Sequence, residues 1–257
     1  AAFEVNPESP PAHQFYTYYQ LEELGDSRGA MLRLLERVRE VSSSAELWAG
    51  LVPACRFLGL YRASLAAHAR ARALDPRIET SVHFTHLQLA EWDLAVAASP
   101  RMDPVFAGLP LALRGREDEA LAVVDETRDQ GFEGASKLFV GSVVDAIRGR
   151  REAAERHVRE AVGMGLRDPE AMFFFARVAG RVGATDLGLD LIDRSIDRGY
   201  FCVAGLDRDP WVGRLAGHPR FEGARQRAAE GRRDAVRAFG EAGGEAILGV
   251  EESGEEI

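Results

Sequence analysis

The chain has 257 residues, and 32 basic against 41 acidic side chains give it a formal net charge of −9 at neutral pH. This acidic balance argues against a nucleic-acid-binding protein, which needs a basic face toward the phosphates. No apolar run approaches the roughly 20 residues that span a bilayer, and the N-terminus lacks a charged-then-apolar leader, so we expect a cytoplasmic protein without membrane contact. Two cysteines, Cys55 and Cys202, are too few for a disulfide framework or a four-thiolate metal site.

A 34-residue interval recurs along the chain. A glycine follows an amphipathic segment at five places: Gly25, Gly59, Gly115, Gly149 and Gly183. Three of the four intervals between neighbouring glycines of this series equal 34 residues. The segment from Gly59 to Asp75-Pro76 is typical of a turn, a helix and a helix stop. The period therefore predicts a series of helix pairs, each joined by a glycine turn.

In chain order, the pattern predicts the first helices of the pairs over 11–24, 45–58, 79–89, 104–114, 136–148 and 170–182. It predicts the second helices over 27–40, 61–74, 91–97, 117–129, 151–163 and 185–198. The third pair is shortened, over about 79–103, because the interval from Gly59 to Gly115 is not a multiple of 34. Ala90 stands in the glycine place of that pair.

The best copy of the repeat carries five residues at characteristic places: Trp48, Leu51, Gly59, Ala71 and Pro76. In these residues the chain resembles the tetratricopeptide repeat (TPR), a helix–turn–helix unit of 34 residues, although Val52 and Ser64 depart at two small-residue places. Over residues 1–198, the resemblance implies an all-α fold. That fold is a right-handed α-solenoid of antiparallel helix pairs with a concave wall of first helices. The opening residues through Pro7 resemble the end of a preceding repeat, so we expect the chain to begin inside a longer solenoid.

After Gly199 the periodic pattern changes. Two X-Pro steps predict short turns that bury Trp211 and Phe221 against the last repeat, and a polar helix over about 220–241 is predicted to cap the solenoid. We therefore expect repeats over 1–198, a cap over 199–245 and an acidic, mobile tail over 246–257. The acidic residues of that tail are Glu251, Glu252, Glu255 and Glu256.

The order of Gly-Tyr-Phe, Asp-Pro-Trp and Pro-Arg-Phe elements in this region resembles the end of repeat regions in bacterial multidomain signalling proteins. In those proteins a serine/threonine kinase, nucleotide cyclase or winged-helix domain precedes the repeats. The resemblance implies that this chain is the C-terminal part of such a protein, and that any catalytic domain lies upstream.

Two motifs have a catalytic or metal-binding interpretation that the pattern disfavours. Gly25-Asp26-Ser27-Arg28-Gly29 matches the G-x-S-x-G motif of hydrolases, but that chemistry needs a preceding strand, so we predict that Ser27 caps the next helix. His83 and His86 could face one metal ion from one helix, yet the repeat template assigns both to packing positions. Without a P-loop, zinc-protease or dinucleotide fingerprint, we expect no catalysis and no cofactor in this chain.

Aromatic and arginine side chains are the candidates for contact with a partner. The repeat template places eight of them on the concave side: Phe15, Tyr16, Tyr19, Arg56, Phe173, Phe174, Arg177 and Arg181. We interpret the cluster Arg148, Arg150 and Arg151 as solvated. We expect a non-catalytic scaffold that binds a protein or peptide in the groove, or packs against an adjacent domain of the same polypeptide. A helical-repeat sensor, or a metal-dependent enzyme with its site near the irregular third repeat, remains the alternative.

Overall fold

A computed structural model describes residues 9–99, 104–125 and 133–253 of the chain. Within these ranges the regular structure is helical throughout, without a strand, which confirms the predicted all-α fold. None of the helices described there is both long and apolar enough to cross a membrane. The opening residues that resemble the end of a preceding repeat lie outside the described ranges.

The helices are, in chain order, α1 (Pro10–Tyr18), α2 (Ser27–Glu40), α3 (Ala45–Phe57), α4 (Tyr61–Leu74), α5 (Val82–Gln88), α6 (Trp92–Ala98), α7 (Pro104–Leu113), α8 (Glu117–Asp125), α9 (Gly134–Ile147), α10 (Arg151–Gly163), α11 (Pro169–Val182), α12 (Thr185–Asp197), α13 (Val203–Arg208), α14 (Pro219–Glu241) and α15 (Gly244–Leu248). A π-helical segment, Tyr19–Leu24, continues α1, and a 3-10 turn covers Val212–Leu215. The predicted helices, including the polar helix near the C-terminus, are confirmed in place and order. The short helices α13 and α15 were not predicted.

The glycine at each turn between paired helices adopts the left-handed backbone conformation. The five turn glycines have φ between 69° and 83°, a region that an L-residue with a Cβ atom rarely adopts. Ala90 has φ 60°, and it is the only non-glycine residue with positive φ in the described part of the chain. The assignment of Ala90 to the glycine place of the shortened pair is therefore confirmed.

Contacts divide the chain into two compact units. The described residues of the first are 9–85, 196–203 and 226–253. Helix α3 is its centre, because α1, α2 and α4 all pack against it. Every residue of α3 except Glu46 is buried, as its nearly continuous apolar sequence requires. Gly50 lets α2 approach, since a Cβ atom there would lie 3.3 Å from Leu34 Cδ1.

C-terminal residues complete this first unit. The amide of Phe201 donates to the carbonyl of Phe57 at 2.6 Å, and Arg232 Nε donates to the carbonyl of Gly59 at 3.0 Å. Helix α15 packs against α2 and α4. The Arg232–Gly59 bond joins residues 173 positions apart, a contact beyond the neighbour-to-neighbour packing that defines a solenoid.

The acidic end of the chain differs from the prediction at one residue. Glu252 is only 4% exposed, so the expectation of a mobile tail is wrong for this side chain. Glu251 is exposed, and Glu255 and Glu256 lie outside the described residues. The periodic pattern of the repeats carries no information about this packing, because the tail docks onto residues far away in sequence.

The second unit contains residues 86–99, 104–125, 133–195 and 204–225 of the described chain. Helices α7 and α8 pack as one pair, α9 and α10 as the next, and both α9 and α10 contact α11. The 3-10 turn also packs on α11. Trp211 and Phe221 are buried, as predicted, and the carbonyl of Trp211 lies so close to α11 that a Cβ on Gly180 would approach it to 2.4 Å.

Candidate functional site

Four of the predicted groove residues are enclosed by the protein. Arg56, Phe173, Phe174 and Arg177 are all buried, and Arg177 has no exposed surface. The expectation that these four side chains face an open groove is therefore wrong. The physical reason is that they belong to α3 and α11, the two helices that other elements of their units surround.

Arg177 holds the C-terminal turn of the second unit in place. Its Nε donates to Asp209 Oδ2 at 2.5 Å and its Nη2 donates to Gln88 Oε1 at 3.0 Å. The guanidinium group also stacks over the rings of Phe173 and Phe174, with 4.6 and 4.9 Å to the ring centres. The other carboxylate oxygen of Asp209 accepts from two backbone amides at the start of the 3-10 turn, at 2.8 and 3.0 Å. These contacts give Arg177 a structural role.

Arg56 has a similar role in the first unit. Its guanidinium lies 5.6 Å from the ring centre of Phe57 and 5.3 Å from that of Phe84. Its Nη1 donates to the backbone carbonyl and to the hydroxyl of Ser81, each at 3.0 Å. Arg56 therefore links α3 to the segment that leads into α5.

The remaining groove candidates keep some exposed surface. Phe15 is 76% exposed and Tyr19 is 51% exposed, whereas Tyr16 is half-buried beneath Arg33, whose guanidinium carbon lies 5.2 Å from the ring centre. Arg181 is half-buried as well and pairs with a carboxylate of α8 at 2.6 Å. Contact between these residues and a partner stays a prediction, which Phe15 and Tyr19 are the best placed to test.

The serine of the G-x-S-x-G motif is not the helix cap. Asp26 occupies the cap position of α2 and accepts from the amide of Gly29 at 2.9 Å, whereas Ser27 is the first helical residue. The prediction of a cap at Ser27 is wrong because a carboxylate one residue earlier takes the role. The segment before Gly25 is π-helical, so the strand that a nucleophile elbow requires does not precede this serine.

The two histidines proposed as weak metal ligands have other neighbours. His83 is buried and its ring centre lies 4.1 Å from that of Phe84. His86 Nδ1 lies 2.7 Å from a carboxylate oxygen of Glu91. Within the described ranges, no group of three or more His, Cys, Asp or Glu side chains is arranged to hold a metal ion.

A cavity of about 700 Å³ lies beside α8, α9 and α10. Its apolar lining consists of Val124, Leu138, Val140, Val144 and Met164. Its charged or titratable lining consists of Asp125, Lys137, Asp145, Arg150, His157 and Glu160. The cavity thus combines an apolar surface with side chains of both charge signs, and it contains the only lysine of the chain.

Three of these side chains form a connected cluster. Asp145, on α9, lies against Arg150 through one carboxylate oxygen and 3.3 Å from His157 Nε2 through the other. Gly141 makes room for the imidazole, because a Cβ atom at Gly141 would lie 3.0 Å from His157 Nε2. The other ring nitrogen, Nδ1, is buried without a hydrogen-bond partner in the described part of the chain. The cluster therefore retains unused hydrogen-bonding capacity beside a cavity.

Sequence reasoning missed this cluster, although the repeat contains a pattern that could have revealed it. Asp145 lies four residues before its turn glycine and His157 eight residues after it. The equivalent places in two other repeats hold buried pairs without charge: Cys55 with Ala67, and Ala179 with Leu191. A carboxylate and an imidazole thus replace small or apolar side chains at one inter-helix contact.

No protein-family model matches the chain, and no curated protein matches it either. The tetratricopeptide resemblance therefore depends on the 34-residue period, the residues at its characteristic places and the helix pairs themselves.

Proposed function

We propose that this chain is a non-catalytic protein-interaction module, with helix pairs stacked as TPR-like repeats, that binds a short peptide segment in the cavity beside α9 and α10. The observation that carries the proposal is the Asp145–Arg150–His157 cluster, which places polar groups at a helix contact where two other repeats have buried, uncharged pairs. Asp145 is buried and is compensated by Arg150 and His157, whereas the Nδ1 atom of His157 has no hydrogen-bond partner among the described residues. An unsatisfied buried polar atom lowers stability, and a bound ligand would supply the missing partner.

The lining of the cavity suits a peptide with one or two apolar side chains. Leu138 is half-buried and Met164 is 59% exposed, so both offer apolar surface to a ligand. Lys137 and Glu160 provide charged groups of opposite sign for the backbone and polar side chains of the peptide. The described lining contains no serine, threonine or cysteine, so it offers no hydroxyl or thiol nucleophile.

The wider context of the module is part of the same proposal. The resemblance of the segment after Gly199 to the ends of bacterial signalling proteins supports an upstream domain, such as a serine/threonine kinase, and a cytoplasmic location. Phe15 and Tyr19 would add a second contact with the partner or with that adjacent domain, because both side chains are exposed.

A peptide selection tests the proposal. Peptides from a random displayed library are selected on the purified chain, and their affinities are then compared for two variants of α9. Leu138→Arg fills the cavity, whereas Ser136→Arg places the same side chain at an exposed position that does not line it. We expect Leu138→Arg to weaken binding by about tenfold or more and Ser136→Arg to leave it unchanged. Equal effects of both variants, or no selectable peptide, would contradict the proposal.

A small-molecule sensor is a second candidate, favoured by the volume of the cavity. About 700 Å³ lies within the usual range of about 300–1,000 Å³ for ligand pockets. A metabolite at a hundred times its dissociation constant stabilises a protein by about 2.7 kcal/mol. For a chain of this length that corresponds to a rise of about 5–10 °C in Tm. A thermal-shift screen that gives such a rise in the parent chain but not in Leu138→Arg would favour this candidate.

A further inference from the structure

The N-terminus of α4 is occupied by a carboxylate from the other end of the chain. Glu252 Oε1 accepts from the backbone amide of Ala63 at 2.7 Å, across 189 residues of sequence. The residue at the cap position of α4, Leu60, has no side-chain acceptor of its own. Helix N-termini have unpaired amides and a partial positive charge, so an incoming carboxylate is favoured there. Glu252 thus takes the place that an anionic ligand would take.

Two arginines hold the backbone of the same segment. Arg232 Nη2 donates to the carbonyl of Ser253 at 3.0 Å and lies 3.8 Å from Glu252 Oε2. Arg62 Nη1 donates to the carbonyl of Glu251 at 3.5 Å. The Arg232 side chain is itself only 6% exposed and is fixed by its bond to the turn carbonyl of Gly59. Arg232 is therefore built into the first unit, whereas Arg62 is an exposed side chain.

The segment contacts this site as an extended peptide ligand would. Residues 250–253 have no regular secondary structure, and only the central glutamate is buried between exposed neighbours. One side chain enters a pocket while flanking carbonyls accept hydrogen bonds, which is a usual mode of peptide capture. Glu252 Oε2 accepts no hydrogen bond within the described residues, so the chain's own tail does not use all the binding capacity of the carboxylate.

We infer that the N-terminus of α4, together with Arg62 and Arg232, is a binding site for an acidic peptide segment of a partner protein, and that residues 251–253 are its resident competitor. A partner glutamate in an extended segment would replace Glu252, accept from the Ala63 amide and face Arg232. Release of the tail is the event that opens the site. The inference does not depend on the cavity beside α9 and α10, because it uses different residues.

A titration of the 257-residue chain tests the inference. The probe is an end-blocked peptide with the sequence of residues 249–253, Gly-Val-Glu-Glu-Ser, and the receptor is the full chain carrying Glu252→Ala. We expect binding at millimolar or lower peptide concentration. The parent chain should bind the probe at least about tenfold more weakly, since its tethered tail competes at a high effective concentration. Glu251→Ala is the matched control, because it changes the exposed neighbour and leaves the competitor in place.

Two further variants decide whether the Glu252 side chain of the probe is what binds. A probe with Glu252→Ala should bind the Glu252→Ala chain at least about tenfold more weakly than the unsubstituted probe, and Arg232→Gln added to that chain should abolish binding. Absence of binding to a folded Glu252→Ala chain, or equal affinity for the two probes, would overturn the inference.

Hydrogen exchange in the parent chain provides a test that needs no substituted protein. If the tail leaves the site reversibly, the amide of Ala63 should exchange faster than that of Ala67 in the interior of α4, and excess probe peptide should slow it. Exchange of Ala63 as slow as that of Ala67, with no effect of the peptide, would mean that the tail is a permanent part of the fold and would refute the inference.

Discussion

Replacement of Ala90 by glycine is expected to stabilise the protein. Ala90 has φ 60°, and a left-handed conformation costs an L-residue about 1–2 kcal/mol. Glycine avoids that cost but adds about 0.4–1 kcal/mol of chain entropy to the unfolded state, and a half-buried methyl group is lost. We therefore expect a net gain of about 0.5 kcal/mol, equivalent to a rise of about 1–2 °C in Tm.

The matched control for this prediction is Gly149→Ala, at the equivalent turn of another repeat in the same unit. Gly149 has φ 70°, and a Cβ atom there would meet no other atom within 4 Å, so the substitution adds backbone strain without a clash. It should destabilise the protein by about 0.5–1 kcal/mol. Urea unfolding measures the change in stability of both variants, as a shift of the unfolding midpoint with no change in the dependence of the free energy of unfolding on urea concentration. If Ala90→Gly lowers the midpoint by as much as Gly149→Ala does, the left-handed turn is not strained and the reasoning fails.

Three other predictions follow from buried contacts. Gly59→Ala should cost about 2–4 kcal/mol, more than Gly149→Ala, because a Cβ atom at Gly59 would lie 2.5 Å from a backbone carbonyl; equal urea midpoints would contradict this. Asp209→Ala should cost about 3–5 kcal/mol in free energy of unfolding, because it removes the carboxylate that compensates the buried charge of Arg177; adding Arg177→Met should recover part of that loss, and additive losses would contradict the pairing. Burial, and secondarily the charge of Glu252, raises the pKa of the Cys55 thiol, and Cys202 is buried too. A thiol reagent should therefore label neither cysteine of the native protein at neutral pH and both after denaturation. Labelling of the native protein would show that the packing around these cysteines opens.

The pH dependence of stability should report on the docked tail. Burial raises the pKa of Glu252 above its ordinary value of 4.5, and this outweighs the opposing effects of the Ala63 amide, Arg232 and Arg62. The folded state then holds the proton more tightly than the unfolded state does. Stability from this group is therefore fully present below about pH 4.5 and is lost as pH rises through the raised pKa. Glu252→Gln should remove this pH-dependent part of the stability, so the urea midpoint of the variant relative to that of the parent chain should rise as pH increases from about 4.5 through the raised pKa. Parallel pH profiles of the two midpoints would show that Glu252 is not buried in the docked tail.

The local part of the fold could be predicted from the sequence because the requirements are themselves local. A turn between paired helices needs a residue with positive φ at a fixed place in the period, and that rule located even Ala90, where the glycine is missing. Helix ends follow the same logic, so that α4 begins and ends at the predicted residues, Tyr61 and Leu74.

The burial of individual side chains could not be predicted in the same way. The repeat template assigns Phe173 and Arg177 to an open wall. Arg177 is instead buried, and it pairs with Asp209, which lies 32 positions later in the chain, beyond the periodic part of the sequence. The candidate cavity depends on a pair, Asp145 and His157, whose contact is evident only once the two helices are packed. A search for short motifs does not find this pair, because the two residues lie 12 positions apart; only a comparison of equivalent places in the repeats points to them.

The assembly of the first unit from both ends of the chain has a consequence for how the protein is made. Synthesis proceeds from the N-terminus, and α3 and α4 leave the ribosome long before residues 226–253 exist. Until then the turn carbonyl of Gly59 and the first amides of α4 lack Arg232 and Glu252 as partners. The second unit, whose last residue is Arg225, is translated in full before these residues, so the first unit can complete its native contacts only after the second has been synthesised.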